Sequence, residues 1–119
     1  MGIRRTLSMA ATIVLAASKS SKACRAFARE LVNRGLVASA TLFPAPVSVI
    51  RSTGEGTEKV VEYLTMLVTD DKVVSNVVDF LKAGPAYQIT KVIAVPISGG
   101  AWDYLSKVSR MASSNKNLR

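Results

Sequence analysis

Residues 58–69 read EKVVEYLTMLVT, a β-prone run with no glycine or proline to interrupt it. A strand rises about 3.3 Å per residue, so a run of this length reaches roughly 40 Å. The whole chain has 119 residues, enough for one domain with one core. So long a strand is expected to project beyond the sheet of such a domain and to seek a second partner.

The segments around it alternate. Thr12–Ala16 (TIVLA) is a continuous apolar run, as in a strand covered on both faces. Ser18-Lys19-Ser20-Ser21 interrupts it and offers N-cap hydroxyls. From there to Arg34 the pattern is helical, with Ala23, Phe27 and Leu31 on one face, Cys24, Ala28 and Val32 beside them, and Gly35 as the stop. Leu36–Phe43 and Val47–Ser52 are extended, separated by Pro44 and Pro46, and Thr53-Gly54-Glu55-Gly56 is a hairpin turn rather than a phosphate loop. Asp70 and Asp71 open a second helix, where carboxylates cap free N–H groups and face the positive end of the dipole. Val73, Val74, Val77, Val78, Phe80 and Leu81 give its apolar face, and Gly84-Pro85 ends it. Ile89–Ile97 is the last strand, Trp102–Met111 a short helix, and residues 112–119 a polar tail. The order is β-α-β-β-α-β plus a short C-terminal helix. That order specifies an α+β, ferredoxin-like sandwich with both helices on one face of a four-stranded antiparallel sheet and the first strand central. The expected division is a basic extension over residues 1–10, the domain over 11–111 and a basic polar tail over 112–119.

The net charge of +8 is uneven: +6 over residues 1–34, −2 over 35–106 and +4 over 107–119. Basic ends could serve RNA or a membrane surface. A nucleic-acid surface usually adds exposed aromatics or a recognisable module, and the sequence shows neither, so solvated basic ends are the simpler reading. Cys24 is the only cysteine and there is no histidine. One cysteine makes no intrachain disulfide, and Cys24 is expected to pack as a small apolar side chain. Without histidine the commonest general base and metal ligand are missing, and no Ser/Cys dyad or paired carboxylate stands out, so no enzyme is expected.

The N-terminus also reads as a basic start before a short apolar run, as in a signal peptide, and MGIRRT fits a loose myristoylation pattern. The run from Met9 to Ala17 is too short to span a bilayer. Removing Thr12–Ala16 would take the central strand out of the sheet, so that segment is expected to belong to the fold. A cytoplasmic location is expected; the Arg-rich start leaves a mitochondrial one as the alternative.

TIVLAAS, the AFARELVNRGLVASATLFP block, the long VEYLTMLVT strand and above all AYQITKVIAVPISGGAWDYL resemble, in order and spacing, the CutA divalent-cation tolerance proteins. Tyr87, Pro96, Gly99 or Gly100, Tyr104 and Leu105 match the pattern around the family's last strand, and the likeness covers about residues 12–108. It implies a PII-like homotrimer with clefts between subunits, and a role in divalent cation, notably copper, tolerance. It also places Tyr87, Gln88, Lys91, Trp102 and Tyr104 as the residues to line such a cleft, for a small anionic ligand or a protein.

The departures bear on chemistry. The family's second-strand cysteine is Ser39 here, and its His-Pro-Tyr-Glu-Val-Pro-like run is Pro85, Ala86, Tyr87, Gln88, Ile89 and Thr90. The soft and borderline ligands of a copper or zinc site are therefore missing together. No metal site or firm cofactor is expected; Asp70, Asp71, Asp79 and Asp103 could hold a divalent cation only weakly. Two alternatives differ in class: an interaction subunit of a larger assembly, held to nucleic acid through the basic ends, and a PII-like nucleotide or anion sensor.

Overall fold

A computed structural model describes residues 11–113; the extension assigned to 1–10 and the tail from 114 onward lie outside the described residues. The elements in chain order are β1 (Ala11–Ser18), α1 (Ser21–Asn33), β2 (Ser39–Leu42), β3 (Val47–Ser52), β4 (Thr57–Asp70), α2 (Val74–Ala83), β5 (Ile89–Pro96) and α3 (Trp102–Met111). This is the expected ferredoxin-like order. β1 is central, antiparallel to β4 on one side and β5 on the other, and β2 closes the far edge in the order β2-β4-β1-β5.

One element extends that plan. β4 spans 14 residues and, besides its pairing with β1, takes two more partners: Thr65–Val68 pair with β2, and Thr57–Glu62 with β3. β3 and the first half of β4 thus make a hairpin that stands beyond the four-stranded sheet, closed where the Thr53 N–H donates to the Gly56 carbonyl (3.1 Å). Gly54 sits in this turn at φ +91°, a conformation that suits glycine. The sheet has five strands rather than four because the chain kinks at Phe43–Pro46, between β2 and β3, and Pro44 and Pro46 cannot donate to a ladder. The expected strand over Leu36–Phe43 is shorter, because Leu36 and Val37 turn inward and are buried.

α1 starts where the Ser20 hydroxyl accepts from the Ala23 N–H (3.1 Å), and Gly35 at φ +73° follows its end. Its buried stripe of Ala23, Cys24, Phe27, Ala28 and Leu31 packs with Val14, Ala16, Leu67, Val77 and Leu81 into the main core. Burying side chains such as Phe27 and Leu31 stabilises by about 1.5–3 kcal/mol each. Asp70 opens the second helical segment by accepting from the Lys72 N–H (2.9 Å), but one 3-10 turn, Asp71–Val73, precedes α2. α3 builds a smaller core at the opposite end of the sheet, with Leu105 and Val108 against Ala11 and Val68. Ala112 is buried there and the Ser113 N–H donates to the Gly35 carbonyl (2.8 Å). Among the described residues no helix is long and apolar enough to cross a membrane.

α1 and α2 cover one face of the sheet. The other face is covered only at its Ala11 and Val68 end, by α3; the helix-free remainder carries Ile13, Leu15, Leu64, Met66, Ile93 and Val95, by strand alternation and register. Ile93 and Val95 are 48 % and 42 % exposed.

Candidate functional site

The first half of β5, the end of α2 and the turn between them enclose a groove of about 520 Å³. Lys82, Gln88, Thr90 and Lys91 supply its polar groups, and Val78, Leu81, Pro85, Ile89 and Val92 its apolar wall. No carboxylate lines it. Among the described residues β5 is an edge strand, so the groove runs beside backbone N–H and C=O groups that pair with no other described strand.

The turn is shaped by its own residues and held by two hydrogen bonds from the end of β1 and the residue after it. Gly84 brings the chain across the Tyr87 ring so closely that a Cβ there would lie 3.1 Å from it. Pro85–Tyr87 form one 3-10 turn, and Gln88 takes a left-handed conformation at φ 52°, ψ 44°, uncommon for a residue with a side chain. The Ser18 hydroxyl donates to the Tyr87 carbonyl (2.6 Å), and the Lys19 N–H donates to the Gln88 carbonyl (3.2 Å). The end of β1 therefore pins the turn.

Lys91 reaches back across the helix-free face to Glu62 on β4, with Nζ 3.1 Å from Oε1. Glu62 is only 2 % exposed, so its charge is out of water. Burial pushes its carboxyl up, but the Thr90 hydroxyl and the Lys91 ammonium beside it, with a longer-range pull from Arg51, together hold it below the usual carboxylate range. Even so, among the described residues Glu62 Oε1 and the buried Thr90 hydroxyl complete no well-directed hydrogen bond.

The five cleft residues expected from the sequence do not converge within one chain. Gln88 and Lys91 line the groove. Tyr87 turns inward, with its ring 5.6 Å from Phe27 edge-on and 5.6 Å from Phe80. Trp102 and Tyr104 lie on α3, which packs at the other end of β1, and are 42 % and 45 % exposed. The sequence reading missed Glu62, Lys82 and Thr90. One signal was available: Glu62 and Lys91 are opposite charges within the apolar stretches VVEYL and TKVIAV, on two strands that a ferredoxin-like order sets on either side of β1.

The sheet order, the two helices on one face and the third at the end define a ferredoxin-like α+β protein. The chain matches the family model for the CutA1 divalent ion tolerance protein over residues 12–110, and it belongs to that family. Protein CutA of Homo sapiens is 30 % identical over 95 residues, 80 % of this chain and 52 % of that protein. The Mus musculus Protein CutA is 29 % identical over 98 residues, 82 % of this chain and 55 % of that one. The chain thus spans about half the length of the curated relatives it matches. Among solved structures, CutA1 from Oryza sativa superposes with a TM-score of 0.77 at 20 % identity, over 87 % of this chain and 94 % of that one. The divalent cation tolerance protein of Thermus thermophilus gives 0.76 at 22 %, over 87 % and 99 %.

The family's name raises the question of a divalent ion. The donors present do not fit a tight transition-metal site. The chain has no histidine, the Cys24 thiol is buried and directed at the Tyr63 carbonyl (3.7 Å), and Asp70 is occupied in capping and in an ion pair with Lys72. Among the described residues no three His, Cys, Asp or Glu side chains gather.

Proposed function

We propose that this protein acts as a homotrimer without catalytic activity. In this reading it serves the divalent ion response, copper included, by binding a small anionic ligand in clefts between subunits rather than by coordinating the metal. The observation that carries the reading is the position of the groove: it lies along the unpaired edge of β5, so whatever pairs that edge also closes the groove. β2 and β5 are unlike edges, and joining the edge of one copy to the other edge of the next makes a ring. The apolar helix-free face would then turn inward, which accounts for Ile93 and Val95 at the surface of one chain. Inside such a cleft, Lys82 and the Gln88 amide meet the acidic group, the Thr90 hydroxyl gains a partner, and the apolar wall takes the body of the ligand.

Size exclusion with light scattering tests the assembly: a trimer at micromolar concentration is expected, and a monomer overturns it. Thermal shift with phosphate, citrate and adenine nucleotides tests the ligand. A ligand at 100 times its Kd stabilises by about 2.7 kcal/mol, which moves the midpoint by several degrees. No shift with any of them at about 10 mM overturns the anion reading. A shift with nucleotides alone selects the PII-like sensor.

A further inference from the structure

We propose that the outward side of α1 and the hollows beside it bind single-stranded nucleic acid. Lys22, Arg25 and Arg29 recur at i, i+3 and i+7, which puts them in one stripe on the side of the helix opposite Phe27 and Leu31. All three are exposed, and none is ion-paired among the described residues. Glu30 is the helix's one acid, and Arg34 holds it at 2.6 Å. The stripe therefore presents uncompensated positive charge.

Beside the stripe run two hollows that share Arg25 and Leu42 and so form one continuous depression. One, of about 350 Å³, lies between α1 and β2 and is lined by Arg29, Val32 and Asn33. The other, of about 550 Å³, is walled by Phe43, Pro44, Pro46 and Tyr63. No carboxylate lines either hollow. Phe43 is 42 % exposed, an aromatic left uncovered on the far bank of a cationic channel.

Cations on one bank and flat apolar side chains on the other are what an unpaired strand requires. Phosphates meet the Lys and Arg side chains while base faces stack on the aromatic and the proline rings. A duplex hides its base faces and has nothing to offer the second bank. An acidic protein would gain little from each exposed ion pair, whereas a polyphosphate chain also releases condensed counterions. Lys22, Arg25 and Arg29 lie on the outward side of α1, away from the helix-free face, so a ring closed through that face carries three such stripes, which adds avidity.

The test is fluorescence anisotropy of a labelled oligouridine of about twelve nucleotides with the full chain, at salt from about 50 to 200 mM. Three phosphate contacts predict a slope of log K against log salt near −2, at about −0.7 per contact on a single strand. The double variant Arg25→Glu/Arg29→Glu should lose at least tenfold in affinity and flatten that slope. Phe43→Ala should lose about tenfold at every salt concentration and keep the slope. Both changes are on exposed positions, and unchanged circular dichroism and light scattering establish that the variants are folded. The proposal is overturned if the wild type does not bind at low salt, or if either variant binds as tightly as the wild type. It is also overturned if polyglutamate at equal charge displaces the oligonucleotide, which would make the stripe a surface for acidic protein.

Discussion

The two faces of the sheet obey different rules although the same strands build both. On the helix side, Val14, Leu67, Phe27 and Leu31 are fully buried within one chain. On the other side, Ile93 and Val95 remain nearly half exposed, yet Ala17 and Glu62 between the strands are closed off from water. The first face is a finished core. The second is half of one, and its polar members, Glu62 and Lys91, are set at its rim. The difference teaches that hydrophobic content alone does not separate folding from association here: β1 carries Thr12, Val14, Ala16 and Ser18 on the finished face and Ala11, Ile13, Leu15 and Ala17 on the other, so the more apolar face is the one left incomplete, and the placement of α1 and α2 decides which is completed internally.

The comparison breaks first on Ile93→Glu/Val95→Glu. These charges should abolish assembly and give a monomer by light scattering with its helical signal intact; a variant that still assembles would show that the helix-free face is not the contact. Next in size, Leu67→Ala should leave assembly unchanged and lower stability by about 2–5 kcal/mol, a fall in Tm of roughly 10 °C or more. Loss of assembly without loss of stability would reverse the assignment of the two faces.

Lys91→Met keeps the stem and removes the charge, leaving Glu62 buried without its cation. It should lower stability by about 1–3 kcal/mol in urea unfolding at neutral pH. The wild type adds a pH signature. Because the folded Glu62 carboxyl titrates below its ordinary value of 4.5, the stability it contributes is full above that value and is lost as pH falls through the folded value. In Lys91→Met the carboxyl's main opposing charge is gone, so acid loss should begin at higher pH than in the wild type. Coincident acid limbs would show that the pair does not hold the carboxylate. Smallest is Arg51→Ala on the hairpin, whose pair with Glu58 at 2.5 Å is open to solvent on both sides. Its removal should change stability by less than about 1 kcal/mol, less still in high salt.

Much of the fold was legible because local signals and tertiary demands agree. The α3 boundaries, Trp102–Met111, follow directly from helical pattern between a glycine pair and a polar tail, and β1 and β5 from unbroken β-branched runs. The over-long β4 was legible as a strand that runs beyond its sheet, and the partner it finds there is β3. The site was less so. A tyrosine before a strand reads as a cleft aromatic, but Gly84 lets the chain fold over the ring, and Phe27 and Phe80 draw it inward. Periodicity has no means of telling which side of a 3-10 turn a ring will take. Glu62 was hidden by its neighbours, since an acid in a run that also carries Glu58 and Lys59 reads as a solvent-facing position until the structure sets Lys91 Nζ 3.1 Å from it.

Strand β4 belongs to two structures at once. From Thr65 to Val68 it is bonded on both sides, by β1 and β2, whereas from Thr57 to Glu62 it has, among the described residues, β3 alone. An isolated two-stranded ribbon is marginal in water, so one continuous strand holds amides of two very different lifetimes. In dispersed chains the amides of Val60 and Val61 should take up deuterium quickly, and those of Leu67 and Val68 slowly. Any neighbour that docks on the ribbon slows the first pair and leaves the second as it was, so a single strand carries both the reporter of assembly and its internal reference.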